Sequence, residues 1–288
     1  MSRVLVVGAR GLLGSSLCPQ LEALGHTVLR QSRGKGFSLQ FDPTDSQAWE
    51  SVLNSERPEA VINLAAATDV DRCETNPQWA YEANVGPVMA LVRAASKCDQ
   101  RPHLVHISSD QVYDGSGPHR EDATRPCNVY ALSKLTAELV ARELPATVLR
   151  TNFFGASQSP GRQSFSDWIV DSLRANKPIT VFSDVFFSAL HLDCLCNVIA
   201  HAIVVRPCGT INVGTAEGIS KADFAIALAE RLALPTSAMR KGSIADARLQ
   251  ARRPRDMRMD KLYFELSFGI PAPSMSEQID QTARDYRE

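Results

Sequence analysis

Short apolar runs alternate with longer helical patterns through the first 150 residues of the chain. The apolar residues within each short run are continuous, which is typical of strands that are covered by helices on both faces. Strands and helices in alternation predict βαβ units and therefore an α/β fold with a doubly wound parallel sheet. The predicted strands are residues 4–7, 27–30, 38–41, 60–64, 103–107 and 146–149, and the predicted helices are residues 12–24, 48–53, 79–98 and 130–144.

The pattern loosens beyond about residue 155, where a polar stretch contains Pro160 and Gly161. Helices are predicted over residues 165–175, 192–204 and 221–232, and a strand over residues 210–213. The chain shows no internal repeat and no flexible linker, so a change of pattern alone marks the boundary between two regions.

The composition excludes several classes of protein. With 288 residues, 44% of them hydrophobic, the chain can bury one large core or two smaller ones, and its net charge of −1 argues against a nucleic-acid-binding protein. No apolar run approaches the length of a membrane span, and the run at residues 4–7 is too short for a signal peptide. The seven scattered cysteines predict a reduced, cytoplasmic protein. Cys194 and Cys196 lie near His191 but lack a second ligand pair, so a structural role is favoured over a zinc site and no metal is predicted.

A glycine-rich loop joins the first predicted strand to the first helix with the spacing G-x-x-G-x-x-G. Glycine permits a tight turn and lets the backbone approach a pyrophosphate, which the N-terminus of the helix then binds through its free N–H groups. The position between an apolar strand and an amphipathic helix is the context that a dinucleotide site requires. The predicted cofactor-binding residues of this loop are Gly8, Arg10, Gly11, Leu12, Leu13 and Gly14.

The end of the second predicted strand bears on the choice of cofactor. Sites selective for NAD usually carry an acidic residue there, whereas this chain has Arg30 and Arg33, with Arg10 in the glycine loop. Arginine suits a 2′-phosphate because its donors bind two oxygens at once, so NADPH is favoured over NADH, although these arginines are also explained as solvated surface charges. Asp42 is a candidate contact of the adenine, with a turn or capping role as the alternative.

Tyr130 and Lys134 form a Y-x-x-x-K pair on a predicted helix. Residues four apart share one helix face, and a nearby ammonium lowers the pKa of a phenol toward neutrality, which favours proton exchange. The pattern alone is common. A catalytic role for the pair is favoured because Ser109 lies upstream at the carboxyl end of a predicted strand. In doubly wound sheets, the ligand crevice forms at that end of the strands. The alternative role for Ser109 is a capping hydroxyl.

Together these motifs resemble the extended short-chain dehydrogenase/reductases. The segments 61–74, 108–115, 128–134 and 253–260 are similar to the dTDP-4-dehydrorhamnose reductase branch of that family, so that the resemblance spans nearly the whole chain. It implies a Rossmann domain at residues 1–155, with a return strand near residues 189–213, and a mainly substrate-binding, interdigitated region at residues 156–288. The family often forms homodimers, but the sequence shows no self-complementary patch.

The resemblance also implies roles for individual residues. Ser109, Tyr130 and Lys134 correspond to a catalytic triad in which tyrosine is the general acid and lysine its activator. Arg253 and Arg255 are expected to face the phosphates of the substrate, with surface ion pairs as the alternative. The further cofactor-binding residues implied are Leu64, Ala65, Ala66 and Asn84, together with Tyr130 and Lys134, and the substrate-binding residues are Thr68, Val70, Asp110, Gln111, Asn152 and Arg253.

Three positions depart from the patterns of related families. Nucleotide-sugar 4,6-dehydratases carry an Asp-Glu pair after the triad hydroxyl, but this chain has Asp110 and Gln111, and glutamine has no titratable proton with which to act as a base. The reductase branch usually has an aromatic residue at Gln111, often a threonine at Ser109, and a glycine at Ala131. Dehydration is therefore disfavoured, and the identity of the sugar stays open.

The leading hypothesis is an NADPH-dependent reductase of the 4-keto group of a nucleotide-activated 6-deoxysugar. Two alternatives stay open at this stage. One is a cofactor-binding regulatory subunit without catalysis of its own, similar to that of methionine adenosyltransferase, and the other is a nucleotide-sugar epimerase.

Overall fold

The computed structural model of the protein describes residues 1–34 and 36–287. The strands are β1 Arg3–Val7, β2 Thr27–Gln31, β3 Ala60–Asn63, β4 His103–Ile107, β5 Ala146–Thr151, β6 Phe153–Phe154, β7 Ile179–Phe182, β8 Phe186–Phe187, β9 Leu190–His191, β10 Gly209–Val213, β11 Ile219–Ser220 and β12 Met239–Gly242. The helices are α1 Leu12–Ala23, α2 Ser46–Glu56, α3 Val70–Thr75, α4 Pro77–Asn84, α5 Gly86–Ala95, α6 Val129–Ala141, α7 Phe165–Arg174, α8 Leu192–Val205, α9 Lys221–Arg231, α10 Leu262–Phe268 and α11 Met275–Asp285.

A six-stranded sheet in the order β10-β5-β4-β3-β1-β2 forms the centre of the molecule, and every neighbouring pair in it is parallel. One face packs against α1, α8 and α10, and the other against α2, α5 and α6. The inner strands β1, β3, β4 and β5 are buried on both faces, which explains their continuous apolar sequences. The predicted doubly wound parallel sheet is confirmed.

A second core lies among α7, α9, α11 and the short strands β7 and β8. Three phenylalanines, Phe154, Phe187 and Phe224, are each at most 2% exposed and form its aromatic centre, with ring centroids 4.5–6.5 Å apart. This C-terminal lobe faces the carboxyl edge of the central sheet, so a crevice forms where the two meet.

Two sequence-based predictions of secondary structure are wrong. Residues 38–41 are not a strand, because only Leu39 bridges to β2 and the Phe41 carbonyl instead accepts a hydrogen bond of 2.6 Å from the Gln31 side chain. Residues 79–98 are not one helix, because α4 ends at Asn84 and α5 begins anew at Gly86. Pro87 has no N–H to donate to the preceding turn, which accounts for the break.

Across residues 1–34 and 36–287, no helix is both long enough and apolar enough to span a membrane.

Candidate active site

The glycine loop joins β1 to α1 through two close backbone contacts. Gly8 has φ +79°, and a Cβ atom at this position would lie 3.1 Å from the backbone nitrogen of Ala65, just after β3. A Cβ on Gly14 would lie 2.7 Å from both the Cα of Ala9 and the carbonyl oxygen of Gly8. The loop therefore leaves room for its glycines alone, and it brings the segment after β3 beside the first turn of α1.

The replacement Gly14→Ala is expected to destabilise the loop by about 1–3 kcal/mol, because backbone atoms cannot yield to the new methyl group. We expect NADPH affinity to fall at least about tenfold as the loop shifts. Gly86→Ala is the control, since Gly86 lies outside the loop and its Cβ would meet the end of the Thr44 side chain at 3.1 Å. Thermal unfolding and fluorescence titration with NADPH measure both effects, and equal losses in the two variants would contradict this prediction.

The carboxyl end of β2 carries a basic corner, which we define as Arg10 and Arg33. Both side chains are exposed, and the Arg10 guanidinium would lie 3.2 Å from a Cβ on Gly34, so the glycine loop and the chain after β2 meet here. Arg30 instead pairs with Glu22 of α1 at 2.7 Å. Asp42 accepts hydrogen bonds from the Thr44 backbone and hydroxyl, so it stabilises a turn.

Ser109, Tyr130 and Lys134 come together at the carboxyl end of β4. All three are at most 7% exposed. Ser109 follows β4 directly, and Tyr130 and Lys134 lie on the first turns of α6, which Asn128 caps through a 2.8 Å hydrogen bond to the Ala131 N–H. The Lys134 ammonium donates to the Ile107 carbonyl at 2.7 Å, which fixes the lysine against the end of the strand.

Burial dominates the proton equilibria of this group. It raises the pKa of Tyr130 to about 12, and a hydrogen bond with Ser109 opposes the rise. It lowers the pKa of Lys134 to about 8, and the Glu138 charge opposes the fall. The lowered tyrosine pKa that the Y-x-x-x-K spacing predicted is not what the structure has, because the Lys134 ammonium is directed to the Ile107 carbonyl and the phenol is surrounded by apolar side chains.

Asn84 connects the segment after β3 to α6. It is fully buried, accepts a 2.7 Å hydrogen bond from the Ala67 N–H and donates one of 2.8 Å to the Ser133 hydroxyl. Its amide is thus committed to protein groups. Of the neighbouring residues predicted to bind ligands, Ala66 and Thr68 are exposed and the rest are at least partly buried.

A cavity of about 190 Å³ lies between the carboxyl edge of the sheet and the C-terminal lobe. Among the predicted substrate-binding residues, Gln111, Asn152 and Arg253 line it. Asn152 also donates a 2.8 Å hydrogen bond to buried Asp110, whose pKa burial raises to about 6. The structure adds Lys221, the first residue of α9, which the sequence analysis missed.

One segment of the C-terminal region, residues 250–254, crosses over the start of α6, the helix that carries Tyr130 and Lys134. Ala251 is 2% exposed and packs in one apolar cluster with Tyr130 and Val70. Its N–H donates to Asp71 at 3.0 Å, and the same carboxylate binds Arg253 at 2.9 Å. This crossing segment therefore fixes Arg253 at the cavity, whereas Arg255 beyond it is exposed.

A buried polar network lies beside Lys134, among β4, α6 and β5. The sequence analysis did not predict it. Glu138 and Arg150 form an ion pair of 2.6 Å in which both side chains are at most 1% exposed. Arg150 also donates to the Tyr113 hydroxyl at 2.7 Å, and Ser108 donates to Glu138. Glu138 lies four residues after Lys134, so this helical spacing was the available signal.

Comparisons with known proteins agree with these observations. The model of the RmlD substrate-binding domain family matches residues 2–288. The dTDP-4-dehydrorhamnose reductase of Escherichia coli K12 is 28% identical, with 94% of this chain and 93% of the relative covered. Methionine adenosyltransferase 2 subunit beta of Mus musculus is 29% identical, with 90% of this chain and 80% of the relative covered.

Among solved structures, a dTDP-4-dehydrorhamnose reductase from Bacillus anthracis in complex with NADP superposes with a TM-score of 0.87. It is 23% identical to this chain, and 98% of each chain is covered. At that identity the likeness shows a common fold, and it extends from the sheet through the C-terminal lobe.

Proposed function

Because the chain belongs to the RmlD substrate-binding domain family, we propose that it is an NADPH-dependent reductase of the 4-keto group of a nucleotide-activated 6-deoxysugar. One observation carries this proposal most directly. Ser109, Tyr130 and Lys134 are buried together at the carboxyl end of β4, and Gln111, two residues after Ser109, lines the cavity. A hydroxyl, a phenol and an ammonium in that place suit the reduction of a carbonyl group.

The residues around the glycine loop fit a dinucleotide. The space that a Cβ would fill at Gly8 and Gly14 is closed by backbone, and the first turn of α1 offers free N–H groups for a pyrophosphate. We assign Gly8, Gly11, Gly14 and the segment 64–66 to the cofactor. When bound, the reduced nicotinamide supplies the hydride.

The protein's own groups then handle the proton and the carbonyl oxygen. The Ser109 hydroxyl donates a hydrogen bond to the keto oxygen and keeps it beside Tyr130. The phenol of Tyr130 is protonated at neutral pH and donates its proton to that oxygen, and the hydrogen bond with Ser109 opposes the rise in its pKa that burial causes. The Lys134 ammonium stays charged at pH 7 and is held on the Ile107 carbonyl, so it contributes a fixed positive charge to the site and a donor for the cofactor.

Position 111 supports reduction over dehydration. The Gln111 amide lines the cavity next to Asp110, where a base would have to remove a proton from the sugar. An amide cannot accept that proton. The residues in this cavity can therefore bind and orient a keto sugar without eliminating water from it.

The experiment that tests the function is a titration of the purified protein with NADPH and NADH, followed by a panel of 4-keto-6-deoxy nucleotide sugars. We expect tighter binding of NADPH and a loss of its fluorescence with one sugar. Binding without oxidation on every sugar would overturn the reductase proposal.

The preference for NADPH is expected to depend on the basic corner. Arg33→Ala should weaken NADPH binding about tenfold to a hundredfold, since hydrogen bonds to a charged group contribute about 1.5–3 kcal/mol, and should leave NADH binding unchanged. Arg30→Ala is the matched control, because Arg30 is already paired with Glu22. The dissociation constants for NADPH and NADH measure this preference. An equal loss of affinity for both cofactors in Arg33→Ala would assign Arg33 a structural role instead.

A second candidate function is that of a regulatory subunit, favoured by the 29% identity to methionine adenosyltransferase 2 subunit beta. Under this hypothesis, the protein binds a dinucleotide but acts through a partner enzyme. Co-purification with another enzyme at fixed stoichiometry, together with no turnover on the sugar panel, would favour it over the reductase.

A further inference from the structure

The cavity between the sheet edge and the C-terminal lobe contains two positive charges. Lys221 lines it from the start of α9, and Arg253 lines it from the crossing segment. Much of the remaining lining is apolar, including Phe182 and Met257. Two cations at the wall of a largely apolar cavity favour the binding of an anion there.

Lys221 has an unusual position for a cation. It is the first residue of α9, where the positive end of the helix dipole disfavours an ammonium. Within residues 1–34 and 36–287 its ammonium has no hydrogen-bond acceptor and no carboxylate within ion-pair distance, and its nearest aromatic contact is the Phe165 ring at 5.4 Å. Burial lowers the pKa of Lys221; the Asp110 charge opposes this shift and the Arg253 charge adds to it. Among the described residues, the fold thus leaves the Lys221 ammonium without a protein acceptor at the wall of the cavity.

Arg253 is held in place by protein contacts but is not fully enclosed. Its guanidinium pairs with Asp71 at 2.9 Å and donates to the Ala251 carbonyl at 3.2 Å, and its side chain stays 20% exposed. Arg253 and Lys221 are near enough for the charge of one to act on the other. An anionic group bound between them would remove that repulsion.

Gln111 places a hydrogen-bond acceptor in the same cavity. Its Oε1 atom is buried and has no donor among the described residues. A hydroxyl of a ligand in the cavity would supply the missing donor. Two cations and one acceptor without a partner together favour a ligand that carries both anionic oxygens and hydroxyls, which is the chemistry of a phosphorylated sugar.

We propose that Lys221, together with Arg253, binds the phosphate group that is bonded directly to the sugar of the substrate, an inference that rests on the proposed function. The sugar-side phosphate is the one favoured because Gln111 and Asp110 follow Ser109 directly in the chain, so the cavity adjoins the place where the keto group reacts. Lys221 is then a specificity-determining residue that separates nucleotide sugars from other keto compounds.

The test compares nucleotides that have and lack this phosphate. The full chain, loaded with NADP⁺, is titrated by calorimetry with dTDP and dTMP, and with UDP and UMP in parallel. Lys221→Met should weaken diphosphate binding about tenfold to a hundredfold and leave monophosphate binding nearly unchanged. Lys221→Arg, which keeps the charge, should recover most of the diphosphate affinity.

Lys241→Met is the matched control, because Lys241 is an exposed lysine of the same lobe that pairs with Asp223 of α9. It should leave binding of every nucleotide unchanged. Folding is checked by the thermal midpoint, which Lys221→Met should change little, since the ammonium forms no hydrogen bond or ion pair with the described residues and only the contact with the Phe165 ring at 5.4 Å is lost.

Two outcomes would overturn the inference alone: diphosphate affinity that does not respond to Lys221→Met, or an equal loss for diphosphates and monophosphates. If the wild-type chain binds neither diphosphate, the proposed nucleotide-sugar function fails as well.

Discussion

Turnover of the keto sugar is expected to fall about 10²- to 10⁴-fold in Tyr130→Phe, while the dissociation constant for NADPH changes little. The replacement removes the phenol that forms a hydrogen bond with Ser109 and keeps the ring that packs among Val70 and Ala251. A positioned proton donor contributes an effect of about this size to a rate. Steady-state oxidation of NADPH measures the first quantity, and fluorescence titration measures the second.

Tyr81→Phe is the matched control, because Tyr81 is 46% exposed and lies on α4, so it should keep full turnover. Undiminished turnover in Tyr130→Phe would remove the proposed mechanism. A loss of NADPH affinity in step with turnover would show instead that the phenol serves binding.

Replacing Arg150 with Leu is expected to lower the free energy of unfolding by about 3–5 kcal/mol, because it leaves the Glu138 carboxylate buried without its cation. Arg150 donates three hydrogen bonds to Glu138, and others to the Tyr113 hydroxyl and the Glu121 carbonyl. Denaturant unfolding followed by circular dichroism measures the change.

The exposed pair of Lys97 and Glu50, 2.7 Å apart, supplies the control. Lys97→Met should cost less than about 1 kcal/mol, since solvent screens that pair. The double variant of Glu138→Leu and Arg150→Leu should recover part of the lost stability, because no unpaired charge stays buried. If Arg150→Leu cost no more than Lys97→Met, the network would have no special role in stability.

The elements that sequence could predict are those that local patterns specify. The continuous apolar runs at β1, β3, β4 and β5 follow from burial on both faces, and the glycine spacing follows from backbone contacts around Gly8 and Gly14. The turn near Leu39 and the break before Pro87 depended on weaker signals, namely one bridging residue and one missing N–H.

The sequence predicted those residues of the candidate site that lie within recognisable motifs. Ser109, Tyr130 and Lys134 could be named because each lies in a recognisable local pattern, and the structure brings the three together. Lys221, which lines the cavity, and Asp71, which binds Arg253, could not be named, because only tertiary contacts give them these positions. The prediction of a lowered Tyr130 pKa was wrong, because spacing along a helix shows only that two groups are near each other. It does not show that the Lys134 ammonium binds the Ile107 carbonyl, or that the phenol is buried away from solvent.

The crossing segment has a consequence for how the molecule folds. It joins residues that are far apart in sequence: Ala251 binds Asp71 across 180 positions, and the Arg252 carbonyl accepts from Asn128 across 124. Contacts of such length form late, because closing a long loop costs entropy before the contact repays it. During synthesis the sheet and α6 leave the ribosome well before residue 250 does. A nascent chain can therefore bury its first core and form the helix that carries Tyr130 before the crossing segment packs against that tyrosine. Competence for chemistry would then arrive late in folding, once the crossing segment has packed against Tyr130.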